Sequence, residues 1–342
     1  MKRALFLILA AISSYHYSFS QPESSGNRID ARFWSGDSSF PVVGPCHFFD
    51  EQLLTPEECS KAAGDVQNFP ALWAAKQGNA PSLGYATYSL LILLKHDHPK
   101  DLALALPQMY SSYRLWANGQ LTAENGSVGK SQKESIPQWR PQTVLVEVNG
   151  DSLHLVLQIA NFHHAKGGVK EPIYLGLASK MQFKRKVASL STLTEATVLF
   201  LVSASFFFIY FSNSRKNVTL YFALLCLTWS VRSLFSNLYL GISFLPDFDW
   251  TMMVRIEYVT LYLTMIWAIL FLSQIFQYEA NIFFKYALVF CNLIFTVFTL
   301  FSSPLSFTQW LNFYLIASAV LLLYGGFTVI RAWVNERWVR DC

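Results

Sequence analysis

The second half of the chain sets the strongest limit on how it can fold. From residue 189 onward, five apolar stretches follow one another, at about 190–212, 218–242, 252–276, 284–301 and 311–330. Each is near the ~20 residues that a helix needs to cross a hydrocarbon core. Short polar connectors separate them, so neighbouring helices are expected to pack antiparallel. Residues 189–342 hold only 7 acidic and 8 basic side chains, whereas 21–188 hold 15 and 16. The chain therefore divides into a normally charged half and a membrane half. Over all 342 residues, 14% are charged and the mean hydropathy is +0.30; soluble chains carry about 25% charged residues. A formal net charge of +4 is too small to suggest a nucleic-acid partner.

The amino terminus reads as an export signal. Lys2 and Arg3 precede an apolar run from Ala4 to Ile12, and Ser18-Phe-Ser20 offers small residues before a cleavage point at Gln21. The alternative is an uncleaved anchor helix, but the run is short for that. Three units are thus expected: a signal peptide at 1–20, an exported domain at 21–188 and a helical membrane domain at 189–342. Outside the cytoplasm, Cys46 and Cys59 could form a disulfide across a short loop, or remain two separate thiols. Cys226 and Cys291 lie in apolar runs and read as packing residues.

Residues 21–188 read as a β-sandwich. Runs starting at Tyr85, Asp101, Tyr113, Thr143, Leu153 and Ile173 alternate apolar and polar side chains or are short and apolar. Asn118-Gly119 and Asn149-Gly150 each follow such a run, and Asn-Gly is a strong hairpin signal because both turn positions need positive φ. Several short strands with turn signals between them favour a sandwich or jelly roll over a helical domain.

These residues also carry a resemblance. Gly44-Pro-Cys-His-Phe-Phe-Asp-Glu-Gln-Leu-Leu-Thr-Pro56 looks like an opening strand, and Trp73 followed by Gly84-Tyr-Ala-Thr-Tyr88 like the next block. Tyr113-Arg-Leu-Trp-Ala-Asn-Gly119 with Asn125-Gly-Ser-Val-Gly-Lys-Ser131 looks like a hairpin arm, and Gln158-Ile-Ala-Asn-Phe-His-His-Ala-Lys-Gly-Gly168 precedes Ile173-Tyr-Leu-Gly176. In this order, ahead of a helical bundle, the blocks resemble the bacterial seven-transmembrane receptors with diverse intracellular signalling modules, over about 45–340. The resemblance implies an all-β, jelly-roll, galactose-binding-like outer domain on an α-helical membrane bundle. It implies a receptor of the bacterial inner membrane, its β domain periplasmic and its carboxy terminus cytoplasmic. That domain would sense a small ligand or glycan, and the bundle would relay the state to a cytoplasmic signalling partner or output module. With five spans and no output motif before Cys342, the expectation is a fragment, a truncated product or a degenerate member. A homodimer is compatible with this reading. The alternative is a carbohydrate-binding or adhesive envelope protein without signalling; a transporter or membrane enzyme would need more polar residues in the bundle.

Loop charge supports the orientation. Arg215-Lys216, Lys285 and the tail residues Arg331, Arg337 and Arg340 fall on the side opposite the β domain, and the acidic connector with Asp247 and Asp249 falls on its own side. One block dissents: Lys184-Arg-Lys186 lies just ahead of the first span, on the β-domain side.

Two constellations are candidate sites. In the bundle, Arg232 is placed about 22 Å along its span, and Glu257 about 9 Å in from the opposite face, with Arg255 beside it. An unpaired charge at that depth costs at least ~2.5–3.5 kcal/mol, so a buried Arg232–Glu257 pair is expected, either as a switch or as a structural clamp. In the β domain, Trp73, Trp116 and Trp139 offer flat faces for a sugar ring, while Asn118, Glu124 and Asn125 offer hydrogen bonds to hydroxyls. The same tryptophans could instead be core residues, as could Trp34. His96 and His98, and the adjacent His163 and His164, lack the third ligand of a zinc spacing. No nucleophile elbow, Walker loop or paired-cysteine motif is present, so neither catalysis nor a cofactor is expected.

Overall fold

The computed structural model describes residues 28–73, 82–214, 216–245 and 248–334. The expected signal peptide, Arg215, Asp247, Arg337, Arg340 and Cys342 lie outside the described residues. The amino-terminal part is a sandwich of two sheets. Its strands are β1 (Arg28–Asp30), β2 (Phe40–Val42), β3 (Gly44–Asp50), β4 (Asp65–Phe69), β5 (Gly84–Leu93), β6 (Leu102–Leu106), β7 (Ser112–Ala117), β8 (Gln120–Asn125), β9 (Gln142–Val146), β10 (Ser152–Asn161) and β11 (Ile173–Leu177). The larger sheet runs β4-β3-β5-β10-β7-β8, with β1 parallel to β5; the smaller runs β2-β11-β6-β9. A one-turn helix, α1 (Pro56–Cys59), follows β3.

The β reading holds, and alternation explains the core. Leu90 and Ile92 of β5, Leu104 of β6, Leu115 of β7, Leu155 and Leu157 of β10 and Leu175 of β11 meet between the sheets, all fully buried. Trp34 joins this core, its indole Nε1 donating to Ser38 O at 2.7 Å. Asn118-Gly119 forms the expected two-residue hairpin between β7 and β8, with φ of 48° and 83°. Asn149-Gly150 does not form a hairpin. It carries the chain from β9 in the smaller sheet to β10 in the larger, so the two flanking strands are not partners. A turn signal specifies local φ but leaves open which sheet each strand joins.

Cys46 and Cys59 do not pair. Cys46 points from β3 into the sandwich core, whereas Cys59 packs with Phe49 and Val156 on the outer face of the same sheet. Burial pushes the Cys46 thiol up to about 12 and the Cys59 thiol to about 11, so both are inert.

The helices are α2 (Ala178–Ile209), α3 (Asn217–Leu234), α4 (Leu240–Phe244), α5 (Trp250–Ile275), α6 (Ile282–Phe301), α7 (Pro304–Gln309) and α8 (Leu311–Val334). Four of them, α2, α5, α6 and α8, are long and apolar enough to cross a membrane among the described residues. Two of these starts are locally encoded: at α5 Asp249 accepts from the Met252 N–H at 2.9 Å, and at α6 Asn281 accepts from the Phe283 and Phe284 N–H groups.

Two expectations about the bundle change. The first long helix begins at Ala178, directly after β11, well before the apolar composition sets in. The second expected span, 218–242, is broken. Its helix, α3, has 18 residues and ends at Leu234, and left-handed Asn237 and Tyr239 (φ 58° and 49°) turn the chain into the short α4. α3 packs between α2 and α5 and is not among the four apolar crossings.

Candidate functional site

The six residues proposed for sugar contact do not converge. Trp73 packs against the sandwich core, and its Nε1 donates to Tyr88 Oη at 2.7 Å. Trp116 lies on the outer face of the larger sheet with Phe49 and Val156, and the Arg114 guanidinium sits 5.8 Å from its ring centre. Asn118 is committed to its turn: its Oδ1 accepts from the His154 N–H at 2.9 Å and its Nδ2 donates to Glu147 O. Glu124 pairs with Arg114 across β7 and β8. Asn125 is buried and donates to Gln138 O at 3.0 Å, closing the loop after β8. These groups hold strands and turns in place rather than lining one surface.

Trp139 departs furthest from its expected role. It is 2% exposed and lies where the sandwich meets the helices. Its ring packs edge-on to Trp250 at 5.6 Å and against Tyr239 at 5.5 Å, and its Nε1 donates to Tyr110 O. His164 completes the cluster from the β10–β11 loop, stacked on Tyr110 at 4.8 Å. A sugar cannot reach a face that is already covered by other rings.

Polar contacts bind the same junction. Tyr239 Oη donates to Gln108 Oε1 at 2.8 Å and lies 3.3 Å from Glu257 Oε2. The hydroxyl thus touches both the sandwich loop after β6 and the bundle helix α5. On the other side, the Ala165 N–H donates to Thr308 Oγ1 of α7 at 3.0 Å. Beside the Tyr239 contacts a cleft of about 530 Å³ opens between the two parts. It is bordered by Gln108, Lys170, Tyr174, Lys184, Arg185 and Glu257, among others.

The intramembrane pair is also corrected. Arg232 and Glu257 do meet, but the guanidinium Nη1 donates to the main-chain carbonyl of Glu257, not to its carboxylate. Because α3 stops at Leu234, Arg232 stands in the last turn of its helix, on the sandwich side, rather than at mid-depth. Arg255 joins neither: its Nη2 donates to Ser302 O at 3.2 Å, at the end of α6. The loop signal that would have placed Arg232 correctly is Phe235-Ser-Asn-Leu-Tyr239, in which Asn tolerates the left-handed conformation.

The helical part is recognisable in itself. Residues 196–339 match the 7TM diverse intracellular signalling family. The matched segment runs from within α2 through α8 and so includes the helices that meet the sandwich at the junction. No curated protein matches the chain. Among solved structures, the chain is similar to a GH2 beta-galacturonidase from Eisenbergiella tayi bound to galacturonate, at 11% identity and TM-score 0.29, over 41% of this chain and 24% of that one. It is similar to a beta-glucuronidase from Faecalibacterium prausnitzii, at 13% identity and TM-score 0.29, over 45% and 32%. A third is a beta-glucuronidase from Parabacteroides merdae, at 9% identity and TM-score 0.32, over 41% and 22%. The chain therefore spans a third or less of the length of these enzymes. Among the described residues no group of three or more His, Cys, Asp or Glu side chains could hold a metal ion.

Proposed function

We propose that the protein is a membrane sensor in which the β-sandwich takes up a ligand and its state passes into the helical bundle across the junction. One observation carries the reading: a buried aromatic cluster at the junction draws on both sandwich and bundle, with Trp139 packed on Trp250, and beside it Tyr239 bonds Gln108. A binding module that only needed display would be served by a flexible tether, whereas here β11 runs straight into α2. A ligand can shift such an assembly only by its differential affinity for two arrangements, and a packed junction gives the two parts a common set of arrangements. The match to the diverse intracellular signalling family supports the same reading.

The sandwich faces the outside of a bacterial inner membrane in this reading, the ligand is a glycan or other small molecule, and a cytoplasmic signalling module receives the state. No catalysis is assigned to the chain. The second reading, envelope adhesion without a relay, differs in one measurable respect. The full chain in nanodiscs is screened on a glycan array, and amide exchange is then followed with the best-bound glycan. A sensor changes protection at 235–262 on binding. Binding with no change there would leave adhesion as the function.

A further inference from the structure

The cleft at the junction carries more positive charge than its neighbours consume. Lys170 is compensated by Glu171 at 3.8 Å, and Glu257 lies against Tyr239. Lys184 and Arg185 have no such partner: among the described residues no carboxylate lies within 4 Å of either. Lys184 sits over the Tyr174 ring at 5.6 Å, and Arg185 spends one N–H on Pro141 O at 2.8 Å. Exposed Arg140 adjoins the same spot through Pro141.

Position narrows the ligand. At 1.5 Å per residue the 32-residue α2 is ~48 Å long, against a hydrocarbon core of ~30 Å. Its polar first turns, including Lys184 and Arg185, therefore stand at the level of the lipid headgroups. On the opposite face of the same stretch Phe183, Val187 and Leu190 are exposed, so this end of α2 reaches the apolar layer beneath the headgroups. A cationic cleft at headgroup depth suits the anionic head of a membrane lipid. This also accounts for the one basic block that runs against the charge pattern of the other loops.

We propose that this cleft is a phosphate-binding site filled by the headgroup of an anionic phospholipid, with Lys184 and Arg185 as its cationic anchors. The proposal rests on α2 crossing the membrane and not on the sensing role, so either can fail alone. The test uses the full chain in nanodiscs of phosphatidylcholine with or without phosphatidylglycerol, followed by native mass spectrometry of the lipid retained on release. Wild type should keep phosphatidylglycerol in preference to phosphatidylcholine. Lys184→Gln and Arg185→Gln should each weaken retention about five-fold, the equivalent of ~1 kcal/mol per cation near a lipid surface. Lys184→Arg should retain it, and so should Lys180→Gln, whose partner is Asp37. A parallel arm adds glycerol phosphate to protein in phosphatidylcholine alone. Binding that needs Lys184 and Arg185 there would uphold the site and assign it to a soluble phosphoester. Equal retention in wild type and both Gln variants, or no preference for the anionic lipid, would overturn it.

Discussion

His164 shows how one side chain ties pH to the junction. It is buried between Tyr110 and Trp139, and its Nδ1 accepts from the Lys166 N–H at 3.0 Å, which suits a neutral ring. Burial holds its pKa down to about 4, from an ordinary 6.5. Between those values the unfolded chain binds a proton that the folded chain refuses. The stabilisation is therefore complete above pH 6.5 and is lost as pH falls toward 4. The full effect is up to ~3 kcal/mol. Thermal unfolding of the detergent-solubilised chain should show a steeper loss of stability over this interval than His164→Gln does; parallel pH profiles would mean that His164 is not the group responsible. At this scale the sequence was a poor guide. Adjacent histidines, a tryptophan and an asparagine look alike whether they bind a ligand or hold a turn. Only their partners, such as Gln138 for Asn125 or Tyr110 for Trp139, tell the two apart.

Among elements, α3 determines the meaning of the bundle's charges. Its end at Leu234 puts Arg232 in the last helical turn, where the guanidinium bonds the Glu257 carbonyl. A main-chain acceptor is indifferent to the sign of the Glu257 side chain. The double exchange R232E/E257R should thus fail to restore the monodisperse assembly that R232E loses, as read by size-exclusion chromatography in detergent. Recovery of assembly would mean that a carboxylate–guanidinium bond matters after all. Strands and long helices were legible because period-2 alternation and ~20-residue apolar runs survive any tertiary arrangement. The break at 235–239 was hidden because its residues are apolar enough to extend a span on hydropathy alone.

The whole molecule is two bodies joined without a linker, and its orientation can be tested directly. Leu121 on β8 is exposed, whereas Cys46 and Cys59 of the sandwich are buried. With the sandwich outside, Leu121→Cys in intact spheroplasts should react with a membrane-impermeant maleimide well above the wild-type background. Reaction only after lysis would place the sandwich in the cytoplasm and invert the proposed sensor. Composition and periodicity alone were enough to establish a β-sandwich followed by apolar helices, since burial pattern and hydrocarbon thickness act along the chain and need no knowledge of contacts. Which groups face one another was decided only on folding. Trp139 and Trp250, or Gln108 and Tyr239, are far apart in sequence and meet because β11 continues into α2 and the α3–α4 turn swings Tyr239 under the sandwich. Long-range packing of that kind depends on how rigid elements are placed in space, and no local pattern of residues encodes it.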